Sequence, residues 1–171
     1  MKERSGAVMM KGNPLTLIGD EIRVGQQAPD VTLVANDLSE VKLSSYKGKK
    51  LILSVVPSLD TGICDIQTKR FNAEDEKLGE DVQILTISMD LPFAQKRWCG
   101  LANATHIRTL SDHRDASFGN AYGVLIKGLR ILARAVFVVD SAGKIQYVEL
   151  VKEVTTEPNY DSALAALKKV K

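Results

Sequence analysis

The spacing of apolar and polar residues changes period several times along the chain, and each change marks an element. "PLTLIG" (14–19) and "DVTLVA" (30–35) alternate every second residue, as edge or hairpin strands do, and "VKLSSYKG" (41–48) ends in a glycine turn. "LILSVV" (51–56) is a continuous run, apolar but for Ser54 and without alternation, the pattern of a central strand covered on both faces. From Cys64 onward Ile66, Phe71 and Leu78 recur at roughly helical intervals, with Gly79 placed as a C-terminal cap, so a helix of about four turns is predicted. "DVQILTISMD" (81–90) is a second buried strand, and Pro92 suits the first turn of a helix running through Trp98 and Cys99. "SFGNAYGVLI" (117–126) reads as a shorter helix interrupted by glycine, "ILARAVFVVD" and "KIQYVELV" flank a "DSAGK" hairpin turn, and "YDSALAALKKVK" is a closing helix with Leu164, Leu167 and Val170 on one side.

Strand-helix-strand-helix followed by hairpin-helix predicts an α/β architecture with a mixed central sheet flanked by helices, because parallel neighbours need crossover connections. That order is similar to the thioredoxin-like fold, with the first strands as an N-terminal β-hairpin extension. At 171 residues and 44% apolar content, one domain spanning 1–171 is expected, with about residues 1–10 flexible or additional. The 23 basic and 21 acidic residues are interspersed and leave a net charge of +2, which gives no electrostatic case for nucleic acid or an anionic membrane. The N-terminal "AVMM" is too short for a signal peptide's apolar region, and no segment approaches a membrane span, so a cytoplasmic location is expected.

In a reducing compartment the two cysteines, Cys64 and Cys99, are inert thiols, metal ligands or redox groups. A zinc set would have to gather Cys64, Cys99, His106 and His113, yet no close Cys-x-x-Cys pair is present, and a dithiol oxidoreductase is weakened because Asp65, Ile66 and Gln67 follow Cys64 with no second cysteine among them. Cys64 follows Asp60 and Thr61, either of which can cap a helix, and so falls in a first turn with free N–H groups. An ordinary cysteine of pKa near 8.5 is only about 3% ionised at neutral pH, and a helix terminus contributes about 0.3–1 kcal/mol towards the anion, so a nearby cation is needed. Of eight arginines, Arg134 stands out because it interrupts an apolar strand between two alanines; it needs either an anion at the site or a buried carboxylate such as Asp112 or Asp140.

"PSLDTGIC" (57–64) resembles the active-site motif of bacterial thiol peroxidases, the atypical two-cysteine branch of the peroxiredoxins, with Pro57, Thr61 and Cys64 on the motif positions. "KGNPLTLIG", "DLPFAQKRWC", "LSDHRDASFGNAYGVLI", "LARAVFVVD" and "YVELVKEVTTEPNYDSAL" are similar to that family in order and spacing, over nearly the whole chain. One departure is Trp98, where the family pattern leads to phenylalanine; a few extra N-terminal residues are another. The resemblance implies that Cys64 is the peroxidatic cysteine and Cys99 the resolving one, that Thr61 and Arg134 orient peroxide and thiolate, and that Pro57 shapes the pocket. It further implies hydrogen peroxide and organic hydroperoxides as substrates, an intramolecular disulfide recycled by thioredoxin, no metal or other cofactor, and a homodimer. A rival reading is a peroxide-responsive sensor or adaptor built on the same disulfide.

Overall fold

The run Leu51–Val56 lacks alternation because both of its sides are covered. The structure, a computed structural model, describes residues 1–171 and places β5 (Lys50–Val55) in the interior of a seven-stranded sheet, third from one edge. It runs parallel to β6 (Val82–Ser88) and antiparallel to β9 (Ala135–Val139). Beyond β6 come β7 (Arg108–Ser111), β3 (Thr32–Val34) and β4 (Glu40–Lys42), and β10 (Ile145–Leu150) closes the opposite edge. The sheet is mixed and the fold thioredoxin-like, as the element order predicts.

The register sorts the core into two layers. Ile52 lies beside Ile84 and Val138 on one face, while the next residue, Leu53, lies beside Leu85 and Phe137 on the other. The first face carries α1 (Gly62–Asp75), α2 (Pro92–Ala102) and α4 (Tyr160–Lys169), which contribute Phe71, Trp98, Ala163 and Leu167. The second face is covered by α3 (Ser117–Ala121), with Phe118 and Tyr122 stacked at 4.1 Å between centroids, and by a small sheet of β1 (Glu3–Met10), β2 (Asn13–Ile18) and β8 (Leu125–Ile126).

Three expectations need correction. Residues 1–10 are not a loose lead-in: Glu3–Met10 is a strand paired with β2, and a register shift between Arg4 and Val8, with Gly6 at φ +66°, breaks the alternation that would have revealed it. Val8 and Leu17 are fully buried, and each such side chain stabilises the docking by about 1.5–3 kcal/mol. Gly79 does not cap α1, which stops at Asp75 with Glu76 as the capping residue. The inward face of α1 is Cys64, Gln67, Thr68 and Phe71, whereas Ile66 is exposed; polar residues on the buried side hid the true stripe.

The hairpin is seated where two glycines meet. A Cβ at Gly19 would lie 2.2 Å from the Asn120 carbonyl oxygen, and one at Gly123 2.2 Å from that of Asp20, so β2 and the turn after α3 touch only because both side chains are absent. At the other end, Met9 N–H donates to Lys152 O and Val154 N–H to Met9 O. Glu153 accepts from the Thr155 hydroxyl and from the N–H groups of Lys11 and Gly12, and these bonds, Thr155 foremost, hold its carboxyl down to about 2. A depressed carboxyl contributes stability that is present above its ordinary range and lost as pH falls from about 4.5 towards 2. The advantage of wild type over Glu153→Gln in urea midpoint, present at pH 7, is therefore expected to shrink across that window; an advantage independent of pH would refute the tie.

Candidate active site

The site forms where β5 and β6 end. Proline has no N–H for the ladder, and the last sheet bond of this strand is made by Val56 N–H to Ile87 O, so the chain leaves the sheet at Pro57. Residues 58–61 form a turn, and Asp90, just past β6, holds it: its carboxylate accepts from Ser58 Oγ (2.7 Å), Leu59 N–H (2.8 Å) and Ser88 Oγ (2.7 Å). Ser58 O then accepts from both the N–H (3.2 Å) and the hydroxyl (3.1 Å) of Thr61.

Thr61 is the residue before α1, but neither it nor Asp60 caps the helix through a side chain. The threonine hydroxyl turns back to Ser58 instead, and the first helical bond is Asp65 N–H to Thr61 O. The N–H groups of Gly62, Ile63 and Cys64 make no hydrogen bond within the chain, so the positive end of α1 keeps its donors free where Cys64 sits. The side chain of Cys64 is fully buried beneath this turn, among Val56, Leu59 and Phe71.

Arg134 enters from the opposite side. It immediately precedes β9, whose Ala135 pairs with Val55, and that register sets the guanidinium at the exit of β5. Only 2% exposed, it donates from Nη2 to Cys64 Sγ (3.3 Å), from Nη1 to Gln67 Oε1 (2.9 Å) and from Nε to Val154 O (2.9 Å). Gln67 is fixed in turn by its Nε2 donating to Ser54 Oγ at 2.8 Å. No carboxylate pairs with Arg134. Asp112 is occupied by the N–H groups of Phe118 and Gly119, with burial pushing its carboxyl up, and Asp140 by those of Ala142 and Lys144. A buried cation without a counter-charge is costly, and the sulfur is the one partner able to become an anion.

Cys99 stands apart from this cluster. It lies near the end of α2, half-buried, with its sulfur 3.5 Å from the Thr109 hydroxyl, and both cysteines are free thiols. His106 pairs with Glu76 (3.1 Å) and His113 with Ser111 (2.9 Å), so the four residues of the zinc alternative are not brought together.

Of the five residues singled out from sequence, Cys64 and Arg134 are in direct contact, Thr61 and Pro57 frame the same turn, and Cys99 is on a separate helix. Gln67, Asp90 and the Val154 carbonyl were not foreseen. Gln67 left one signal: a polar residue three positions after Cys64 shares its helix face. A cavity of ≈ 450 Å³ over Leu51, Leu53 and Tyr122 opens on the other face of the sheet and includes none of these residues.

The chain and its fold are similar to known proteins. The chain is 56% identical over 161 residues to the thiol peroxidase of Bacillus subtilis, covering 94% of this chain and 96% of that one. A peroxiredoxin-like protein of Aquifex aeolicus superposes with a TM-score of 0.90 at 44% identity, covering 97% and 96% of the two chains. A thiol peroxidase of Chromobacterium violaceum, at 22% identity, shares the fold with a TM-score of 0.84 over 95% of each chain. The Redoxin family model matches residues 23–164, from before β3 into α4, and with that span and those relatives the chain belongs to the redoxin family, on its thiol peroxidase branch.

Proposed function

We propose that this protein is a thiol-dependent peroxidase in which Cys64 is the attacking group. The observation that carries the reading is a buried guanidinium whose only ionisable partner is a cysteine sulfur, 3.3 Å away. Cys64 thiolate attacks one oxygen of a hydroperoxide, ROOH; the O–O bond breaks, the distal oxygen takes a proton and leaves as ROH, and Cys64 becomes a sulfenic acid, Cys64–SOH. Arg134 and the free N–H groups of α1 stabilise the charge that moves from sulfur to the leaving oxygen, and Thr61, set by Ser58 and Asp90, orients the peroxide. Pro57 ends the ladder and shields the turn from water.

Cys99 thiol then condenses with Cys64–SOH, forming the disulfide and releasing water, and a thioredoxin dithiol returns both cysteines to thiols by exchange. The first turn of α1 and the end of α2 must open for the sulfurs to meet, and the free donors and Gly62 at the first, with Gly100 beside Cys99, favour local opening there. Hydrogen peroxide and organic hydroperoxides are the proposed substrates. No helix is long and apolar enough to cross a membrane; a cytoplasmic homodimer is the proposed setting.

A thioredoxin-coupled peroxide assay tests the scheme. Wild type is expected to turn over steadily, while Cys99→Ser consumes about one equivalent of peroxide, traps Cys64–SOH and then stalls. Undiminished steady turnover in Cys99→Ser would remove Cys99 from the cycle.

A further inference from the structure

One hydrogen bond joins the two helices that carry the cysteines, and it is made by their immediate neighbours. Trp98 Nε1–H donates to Asp65 Oδ1 at 2.9 Å. Trp98 precedes Cys99, and Asp65 follows Cys64. Trp98 is 8% exposed and packs in the same core layer as Cys64, so the bond is sheltered on the indole side while Asp65 stays partly exposed. The other carboxylate oxygen of Asp65 is held by Lys69 at 2.9 Å, one turn along α1, which helps aim the acceptor. Phenylalanine, the residue the family resemblance leads one to expect at 98, has no donor and could not make this bond.

We infer that the Asp65–Trp98 hydrogen bond is a latch that holds the Cys64 and Cys99 helices closed and thereby sets the fate of the sulfenic acid. The inference rests on the two-cysteine cycle proposed above. Bringing Cys99 to Cys64 requires the end of α2 to unwind, which carries Trp98 out of the core and parts it from Asp65. While the latch is shut, Cys64–SOH stays beside Arg134, where a second hydroperoxide can transfer an oxygen: Cys64–SOH and ROOH give the sulfinic acid Cys64–SO₂H and ROH. Once the latch opens, Cys99–SH attacks Cys64–SOH and water leaves. The latch lengthens the life of the sulfenic acid and makes this chain more readily overoxidised than the same chain without it.

Trp98→Phe removes the donor and keeps the ring. A hydrogen bond to a charged group is worth roughly a tenfold shift in such an opening equilibrium. In quenched-flow experiments with thiol alkylation and mass analysis, Trp98→Phe is expected to form the Cys64–Cys99 disulfide roughly tenfold faster after the first oxidation. It should accumulate correspondingly less sulfinic acid in excess hydrogen peroxide, with the rate of the first oxidation unchanged. Asp65→Ala, which retains the indole as a fluorescent reporter, should accelerate disulfide formation to a similar degree, and the double variant should match either single one. If wild type and Trp98→Phe partition identically between disulfide and sulfinic acid, or if the two single changes add in the double variant, there is no latch. If wild type forms no Cys64–Cys99 disulfide at all, the two-cysteine cycle fails and the latch with it.

Discussion

Replacing Arg134 by alanine is expected to lower the rate constant for the first oxidation of Cys64 by about 10²–10³-fold, the usual consequence of removing a preorganised donor from a site of charge development. The size follows from geometry. A guanidinium 3.3 Å from a sulfur anion attracts it by about 5 kcal/mol gross at an effective dielectric of about 20, part of which is offset by the water both groups give up. The substitution also leaves Gln67 Oε1 and Val154 O without their donor, at about 1–3 kcal/mol for each unsatisfied buried group, so a stability measurement must accompany the kinetics. Arg134→Lys separates the two effects. It restores a charge but cannot make all three bonds, and is expected to recover stability more fully than rate. Stopped-flow oxidation by hydrogen peroxide is the measurement, and a folded Arg134→Ala protein reacting at the wild-type rate would dismiss the guanidinium from the chemistry.

The second large effect is Cys64→Ser, for which no sustained turnover is expected in the coupled assay. A serine hydroxyl keeps its proton at neutral pH, and oxygen forms no analogue of the sulfenic acid, so nucleophilicity and the intermediate disappear together. Cys99 offers no substitute: its contact is the Thr109 hydroxyl, and no cation touches it. The fold should survive, because serine is smaller than cysteine and its oxygen can accept the bond that Arg134 now gives the sulfur. Far-ultraviolet circular dichroism should match wild type while peroxide consumption falls to background. Residual turnover above background would place the nucleophile elsewhere.

Much of this was legible in the chain itself, for reasons that differ residue by residue. Cys64 could be read because Pro57 ends a largely apolar strand and a helix begins a few residues later, which fixes the cysteine in a first turn. Arg134 could be read because a charge inside an apolar strand demands an explanation, although only the structure decides between Cys64 and the carboxylates of Asp112 and Asp140. Gln67 and Asp90 stayed hidden. Gln67 lies on a helix whose buried face is half polar, so apolar spacing pointed instead to the exposed Ile66. Asp90 acts across 31 positions on Leu59, and the Val154 carbonyl across 20 on Arg134, separations that no local pattern encodes. Strand β1 was lost to a single bulge, and Thr61 was misread as a side-chain cap because a threonine before a helix looks the same whether its hydroxyl turns forward to the helix or back to Ser58.

The lack of any carboxylate against Arg134 has a further result for the catalytic cycle. In the proposed cycle a Cys64 thiolate balances that buried charge, and its conversion to a neutral sulfenic acid leaves the guanidinium only neutral partners, among them the Gln67 and Val154 oxygens, in a place that water scarcely reaches. On that cycle, oxidation is expected to loosen the hold of Arg134 on Cys64 and to favour solvated arrangements in which the sulfur is accessible to a reductant. Reduction is then expected to restore the contact and close the pocket.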